Sequence, residues 1–347
     1  MLKKSTTTIA AALAALVLAS AALTACGASS QSAASAAPAA SSSAPGGLPP
    51  LSGQGGSADA GGPGGSPDIS AAKTTALDLA YADASAAQKL DIYLPAAGNA
   101  PYPVILAIHG GAFIMGDKAD GQLTPMLSGL SRGYAVVSMN YRLSNEAKFP
   151  AQVNDVKAAI RWLRANAAKY HLDANKIAVW GGSAGGNLAA MAGTSAGVAA
   201  LSDSSQGNAG QSDTVQAVVD WFGPIAFLQM DPQFTASGAG PANHDAADSP
   251  ESRYLGAALP TVPAKVKAAD PTTYVTSDDP AFFIEHGTAD GNVPVQQSQD
   301  FAAALTNTLG AGDVTIKLLD GAGHADAAFM TPANVKLVLD WLDAQLK

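Results

Sequence analysis

The 347-residue chain contains a single cysteine, Cys26, and therefore cannot form a disulfide bond within itself. Its five histidines and this cysteine show no spacing typical of metal ligands. We therefore expect a fold without internal covalent cross-links, and a protein that needs no metal and no other cofactor.

Charged residues are scarce as well, at 14% of the chain, and they are mainly acidic. The 19 Lys and Arg residues stand against 28 Asp and Glu residues, for a formal net charge of −9 at pH 7. Proteins that bind nucleic acid neutralise its phosphates with clustered basic side chains, which an acidic chain supplies poorly. The composition argues against a nucleic-acid partner and favours a neutral or hydrophobic substrate.

The first 26 residues are typical of a secretion signal. Lys3 and Lys4 supply a positive start, and residues 9–22 form an apolar run that is too short and alanine-rich for a membrane-spanning helix. The stretch LTAC, which ends at Cys26, resembles the lipobox of bacterial lipoproteins. That resemblance implies cleavage before Cys26, a lipid on its thiol, and an extracytoplasmic protein anchored to the cell membrane. The alternative is an ordinary signal peptide with a chance cysteine.

Residues 27–70 consist almost entirely of Ala, Ser, Gly, Pro and Gln, and they include no aromatic residue. Such a segment cannot bury enough apolar surface to offset the entropy lost on ordering, so it is predicted to be a disordered linker. Its expected role is to hold the next domain clear of the membrane or cell wall. A globular domain is predicted over residues 71–347.

Short apolar runs recur along this domain and predict strands over residues 89–94, 104–109, 134–139, 176–180, 215–221, 281–285 and 314–319. Several runs are almost uniformly hydrophobic, as expected of parallel strands covered on both faces. Apolar residues at three- and four-residue spacing predict helices over residues 152–170 and 335–346. The alternation of strands and helices indicates an α/β fold with a doubly wound, mostly parallel sheet.

The stretch VWGGSAGGN, residues 179–187, places Ser183 among four glycines. It continues a predicted buried strand and leads into a helix rich in small residues, whereas a flexible linker would not follow a buried strand. The pattern Gly181-x-Ser183-x-Gly185 on a strand-to-helix turn is typical of a nucleophile elbow, where glycines permit the sharp turn and close packing. We interpret Ser183 as a nucleophile.

A serine hydroxyl needs a base at neutral pH, and five histidines are candidates. His171 is predicted on the surface at a helix end, and His286 in a loop that it shapes. His244 lies in the polar segment GPANHDAADS, where exposure is expected and contact with the substrate is the alternative. His109 ends a strand. His324 lies on a Gly-rich loop after the last predicted strand, at the sheet edge where open α/β sheets carry their sites. His324 is therefore the preferred base.

Two aspartates are candidates for the acid that orients this base. Asp290 lies in HGTADGNVP, just past a predicted strand, and Asp220 lies in VVDWFGP, within or at the end of an earlier strand. Asp290 produces the chain order Ser183, Asp290, His324, which is the order found in α/β enzymes with a nucleophile elbow. Asp290 is preferred, and Asp220 is retained as the alternative.

A loop that binds a developing oxyanion is expected after a strand near the elbow. The stretch HGGAF, residues 109–113, follows such a strand and contains Gly110, Gly111 and Ala112. The amide of Ala184, directly after the nucleophile, is the second expected donor.

Together these motifs resemble the α/β-hydrolase superfamily. Within it they are similar to hormone-sensitive-lipase-like esterases and, more closely, to bifunctional feruloyl and acetyl-xylan esterases. The similarity covers residues 78–345 and rests on the stretches LDIYLP, HGGAFIMGDK, FPAQVNDVKAAIRWL, WGGSAGGN, WFGPIAF, HGTADGNVP and GAGH. It implies that Ser183 is the nucleophile, His324 the base and Asp290 the orienting acid.

The resemblance also implies an oxyanion hole formed by the amides of Gly111, Ala112 and Ala184, with Gly110 shaping the loop. Two positions depart from the family pattern. Ala112 stands where relatives have a third glycine, which keeps the amide but narrows the acyl pocket. Asn187 stands where relatives often carry histidine.

Residues 227–254 form a long polar insertion, and unstructured loops of this length are usually lids or binding elements. We expect the insertion to overhang Ser183 and to set specificity. The expected protein is a serine carboxylesterase for short acyl or aromatic esters, including acetyl or feruloyl groups on plant polysaccharide. A prolyl-oligopeptidase-like peptidase is an alternative, but the chain has no room for its propeller. A lipid-anchored binding protein, the other alternative, has no use for the elbow, the oxyanion loop and the acid–base pair.

Overall fold

The structure is a computed structural model that describes residues 66–96 and 98–347. The predicted signal, Cys26 and most of the predicted linker lie outside the described residues.

The described residues form eight strands in one sheet: β1 Ala72–Ala80, β2 Lys89–Pro95, β3 Tyr102–Ile108, β4 Ala135–Met139, β5 Leu172–Gly182, β6 Ala217–Trp221, β7 Ala281–Gly287 and β8 Val314–Leu319. Their order is β1-β2-β4-β3-β5-β6-β7-β8. The pairs β1–β2 and β2–β4 are antiparallel, and every other pair is parallel. The predicted doubly wound, mostly parallel sheet is confirmed.

The same described ranges contain nine α-helices: α1 Thr124–Leu127, α2 Ala151–Ala165, α3 Ala167–Tyr170, α4 Ala184–Thr194, α5 Phe227–Ser237, α6 Pro250–Leu255, α7 Pro263–Ala268, α8 Val295–Leu309 and α9 Pro332–Leu346. Short 3-10 helices occur at Gly121–Leu123, Ser128–Arg132, Ala199–Leu201, Ser204–Gln206, Leu259–Thr261, Pro271–Tyr274 and Ala327–Met330. None of the helices in this part of the chain has the length and apolar character needed to span a bilayer.

Helices cover the sheet on both faces. On one face, α2, α4 and α8 bury apolar side chains such as Val156, Leu188 and Phe301 against the strands. On the other face, α1 and α9 contribute residues such as Met126 and Leu339 to a second core. Strands that are buried on both faces are mostly apolar, which explains the nearly uniform runs in the sequence.

Two elements differ from the sequence-based expectation. β1 was not predicted, because this edge strand is mostly exposed and its sequence AKTTALDLA lacks a strong apolar pattern. The helix expected over residues 152–170 is divided into α2 and α3 at Asn166, whose side-chain amide donates to the carbonyl of Trp162 at 2.9 Å. A side chain that satisfies a helix-end carbonyl competes with continuation of the helix.

The strand order reverses at β3, because β4 pairs on one side of it and β5 on the other. The parallel strands β3, β5, β6 and β7 end at the same edge of the sheet, at Ile108, Gly182, Trp221 and Gly287. In open α/β sheets, the crevice at such a reversal is where ligands bind.

Candidate active site

Ser183 occupies the tight turn between β5 and α4. Its backbone adopts φ 55° and ψ −122°, a conformation that side-chain-bearing residues rarely adopt. The amide of Ser183 donates to the carbonyl of Trp221 at 2.9 Å, and the Ser183 carbonyl accepts from the amide of Asn187 at 3.1 Å. The turn is therefore held from both sides although its backbone is strained.

The glycines around Ser183 are required by close packing. A Cβ atom at Gly181 would collide with the carbonyl of Gly185, and one at Gly185 would collide with the carbonyl of Ile108 in β3. The first helical turn of α4 therefore packs directly on the ends of β5 and β3. Close packing between helix and strand, which the sequence analysis gave as a reason for the glycines, therefore applies at Gly181 and Gly185.

The structure brings Ser183, His324 and Asp290 together. The Nε2 atom of His324 lies 3.0 Å from the Oγ atom of Ser183, and its Nδ1 atom lies 2.7 Å from Oδ2 of Asp290. His324 follows β8, and Asp290 follows β7. An ionised carboxylate can only accept, so Nδ1 carries the proton and Nε2 presents a lone pair to the serine hydroxyl. This arrangement can take the proton from Ser183 as its oxygen attacks a carbonyl.

Asp290 is buried and held in the ionised form. Burial by itself would raise the pKa of its carboxyl group, but hydrogen bonds from His286 and His324 hold that pKa well below its usual range. Its Oδ1 atom also accepts from the amides of Asn292 and Val293, at 2.8 and 2.9 Å. The orientation of the carboxylate is thus set by four donors.

His286 was predicted only to shape its loop, and the structure places it in direct contact with Asp290. Its Nε2 atom lies 3.2 Å from Oδ2 of Asp290 and 3.0 Å from the carbonyl of Val293, while Nδ1 lies 2.7 Å from the hydroxyl of Ser298. The ring is fully buried. The available signal was its position, at the end of a strand and four residues before Asp290.

Asp220, the alternative acid, has different surroundings. It lies in β6, is fully buried, and accepts from the amide of Gly223 at 3.0 Å through Oδ1. Burial raises the pKa of its carboxyl group to about 6. In the described part of the chain it makes no hydrogen bond to a histidine, so it does not occupy the position of an orienting acid.

The amides of Gly111, Ala112 and Ala184 are not donated to any acceptor within residues 66–96 and 98–347. All three residues line the cavity that contains Ser183. Gly110 was expected to shape this loop, and its amide donates to Oε1 of Gln122 at 2.9 Å. Its amide is therefore not available as an oxyanion donor, and Gly110 only supports the loop. The role of Gln122 had no recognisable signal in the sequence.

Three further polar residues from the sequence analysis lie outside the hydrogen-bonded series of Ser183, His324 and Asp290. His109 stacks on Tyr141 at a centroid distance of 4.4 Å, and burial lowers the pKa of its imidazole. Asn187 donates to the carbonyl of Pro224 at 2.8 Å, so this departure from the family pattern anchors the segment after β6. His171 is exposed and ends α3, as predicted.

The insertion, residues 227–254, was expected to lack secondary structure, but it contains α5 and most of α6. Five of its residues line the cavity of about 360 Å³ that holds Ser183: Pro241, Asn243, His244, Pro250 and Glu251. The expectation that His244 is exposed was wrong, because its side chain is buried and paired with Glu251. No cluster of metal-ligating side chains occurs among the described residues.

Comparisons with known proteins identify the family of the chain. The family profile described as BD-FAE matches residues 90–305. Esterase LipQ of Mycobacterium tuberculosis is 35% identical over 232 residues, which are 64% of this chain and 50% of the relative. The probable carboxylic ester hydrolase LipM of the same organism is 32% identical over 66% of this chain and 51% of the relative. The chain thus spans about half the length of these curated relatives.

Two solved structures are similar as well. A truncated carbohydrate esterase from gut microbiota superposes with a TM-score of 0.72 at 34% identity, covering 81% of this chain and 99% of the other. A bifunctional GH43-CE protein of Bacteroides eggerthii has a TM-score of 0.70 at 36% identity, covering 79% of this chain and 35% of the other. The predicted resemblance to α/β-hydrolase esterases is confirmed. Because the family profile spans more than half of the chain, the chain belongs to the BD-FAE family of hormone-sensitive-lipase-like α/β-hydrolases.

Proposed function

We propose that the protein is a serine carboxylesterase that hydrolyses short acyl or aromatic esters through an acyl-enzyme. The observation that carries the proposal is the hydrogen-bonded series Ser183 Oγ, His324 Nε2, His324 Nδ1 and Asp290 Oδ2, with links of 3.0 and 2.7 Å. Named esterases among the relatives support ester hydrolysis as the reaction.

Acylation begins when the Ser183 oxygen attacks the carbonyl carbon of the ester. The hydroxyl proton passes to Nε2 of His324, and Asp290 stabilises the imidazolium that forms. Negative charge develops on the carbonyl oxygen. The backbone amides of Gly111, Ala112 and Ala184 donate hydrogen bonds to this oxygen. The imidazolium then protonates the leaving alcohol, and an acyl-serine remains.

Deacylation repeats the sequence with water as the nucleophile. His324 takes a proton from the water, the water oxygen attacks the acyl carbon, and the same amides bind the oxyanion. Protonation of the Ser183 oxygen releases the carboxylic acid and restores the free site. The low pKa of the Asp290 carboxyl group keeps the orienting charge present throughout.

The substrate is proposed to carry its acyl group on a carbohydrate, such as acetyl or feruloyl groups on plant polysaccharide. The support is that one similar solved structure is described as a carbohydrate esterase. Ala112 in the oxyanion loop narrows the space beside Ser183 and favours short acyl groups.

The test measures hydrolysis of a series of p-nitrophenyl esters from acetate to decanoate. Methyl ferulate and acetylated xylan are tested as further substrates. We expect kcat/KM to be highest for acetyl to butyryl esters, and we expect Ser183→Ala to abolish turnover in a folded protein. If Ser183→Ala has an unchanged circular dichroism spectrum and still hydrolyses these esters at the original rate, the mechanism is refuted.

We also propose that the chain is attached by a lipid on Cys26 to the outer side of the bacterial cell membrane. The support is the lipobox-like stretch LTAC and the Ala/Ser/Gly/Pro composition of the segment that follows. Such a segment would let the domain reach esters at a distance from the membrane.

A further inference from the structure

Two ionisable side chains of the insertion face each other in the wall of the Ser183 cavity. Nδ1 of His244 lies 3.1 Å from Oε2 of Glu251, and both residues line the cavity. Their side chains are only 11% and 6% exposed. The reaction proposed above uses neither of them.

The pair is held rigidly. The amides of His244 and Asp245 donate to the two carboxylate oxygens of Asp231 in α5, at 2.7 and 3.0 Å. The imidazole stacks on Phe234 at 5.7 Å, and Glu251 lies in the first turn of α6. Two helices and a turn therefore converge to place this pair, as expected of a binding element rather than a loose loop.

Each partner retains one atom without a protein hydrogen bond in the described part of the chain: Nε2 of His244 and Oε1 of Glu251. Burial works against a charged imidazole, but the hydrogen bond to Glu251 and the charges of Glu251, Asp231 and Asp245 raise the pKa of His244 overall. The wall thus offers a carboxylate acceptor beside a ring nitrogen that donates when protonated and accepts when neutral.

We propose that Glu251 and His244 form a subsite that binds two neighbouring hydroxyl groups on the alcohol part of the ester. The inference rests on the proposed esterase function. A hydroxyl group can both donate to Glu251 and exchange a hydrogen bond with His244, whereas a carbonyl or carboxylate has no proton for Glu251. Alcohols that carry a carboxylate, such as uronic acids, are disfavoured, because Glu251 lies in the cavity wall and the charges of Asp231 and Asp245 act on His244 beside it.

The test uses two acetates of six-membered-ring alcohols that differ in their hydroxyl groups. A monoacetylated methyl xyloside carries free hydroxyls beside the ester, and cyclohexyl acetate carries none. The measured quantity is the ratio of kcat/KM for the xyloside acetate to kcat/KM for cyclohexyl acetate, in the full-length chain and in Glu251→Gln. The variant Glu146→Gln, at an exposed glutamate outside this cavity, is the matched control.

Glu251→Gln is expected to lower this ratio about tenfold or more, because hydrogen bonds to charged groups are stronger than those between neutral groups. Glu146→Gln should keep the ratio of the unchanged chain. Inhibition of p-nitrophenyl acetate hydrolysis by unacetylated methyl xyloside supplies a second measurement, and its inhibition constant should rise by a similar factor in Glu251→Gln.

If Glu251→Gln changes kcat/KM for both acetates equally, or changes neither, the subsite is refuted while the esterase function stands. If the unchanged chain hydrolyses neither these acetates nor p-nitrophenyl acetate, the esterase function itself is refuted.

Discussion

Four donors surround the carboxylate of Asp290: His286, His324 and the amides of Asn292 and Val293. At the residue scale this set of contacts does two things. It keeps the carboxyl group ionised despite burial, and it fixes the plane in which the ring of His324 is held. Asp220 is also buried, but among the described residues only the amide of Gly223 donates to it, so its charge is poorly compensated.

Asp290→Asn should therefore fold normally and lower kcat for p-nitrophenyl acetate by about three to four powers of ten, because His324 loses its required tautomer. Asp220→Asn is the matched control, since it makes the same chemical change at another fully buried aspartate near a strand end. Its kcat should stay close to that of the unchanged chain. Loss of kcat in Asp220→Asn, with activity preserved in Asp290→Asn, would reverse the assignment of the acid.

Asp220 also predicts a pH dependence of stability. Its pKa is about 6 in the folded chain and 3.8 in the absence of structure, so the folded state binds more protons between these values. Stability should therefore fall as the pH rises through this window, by up to about 3 kcal/mol. The measurement compares the free energies of unfolding of the unchanged chain and Asp220→Asn from pH 4 to 7. The free energy of unfolding of the unchanged chain should fall relative to that of Asp220→Asn as the pH rises. A difference between the two free energies that stays constant over this range would contradict the prediction.

At the scale of elements, the insertion is attached to the oxyanion loop by aromatic packing. Tyr254 of α6 stacks on Phe113 at a centroid distance of 4.0 Å, and Phe149 and Phe227 pack against its edges. Phe113 follows Ala112 directly in the chain. A change in the position of α6 is therefore transmitted to the loop that carries the oxyanion amides.

Tyr254→Ala should remove this stack, lower stability by about 3–5 kcal/mol, and relax the acyl-length preference toward longer p-nitrophenyl esters. Tyr254→Phe is the control, because it keeps the stack and removes only a buried hydroxyl that has no hydrogen-bond partner in the described residues. It should match or exceed the original melting temperature and keep the acyl-length profile. If Tyr254→Ala has a lower melting temperature but an unchanged acyl-length profile, α6 does not influence acyl-length selection.

At the scale of the whole molecule, the proposed organisation is a lipid on Cys26, a linker and one acidic catalytic domain. Anchoring would restrict the domain to esters near the cell surface. The proposal depends on one thiol, because the chain has no other cysteine to modify.

Cys26→Ser should move the protein from the membrane fraction to the medium, or leave it as an uncleaved precursor of higher mass. Fractionation followed by immunoblotting and intact mass analysis measures both outcomes. Ser29→Ala, three residues further along, is the control and should remain in the membrane fraction. Membrane association of Cys26→Ser equal to that of the control would exclude the lipid anchor.

The sequence by itself determined the features that depend on neighbours in the chain. Seven strands were predictable from short apolar runs. In β3 to β7 these runs are nearly continuous, because parallel strands buried on both faces need them. The strand-to-helix turn at Ser183 was predictable because its glycines have little other use between a buried strand and a helix. The order of Ser183, Asp290 and His324 likewise follows from the chain, and the structure brings these three side chains into hydrogen-bond distance.

Only the tertiary structure decided the contacts between residues that are distant in sequence. Asp290 and Asp220 both lie near strand ends, and their different donors are visible only when the sheet edge is assembled. The contact of Gln122 with Gly110 and the pairing of His244 with Glu251 also depend on how loops fold over that edge. The composition of the insertion indicated a polar loop. Its helices depend on packing against Phe113 and the rest of the core, because short helices are stabilised mainly by tertiary contacts.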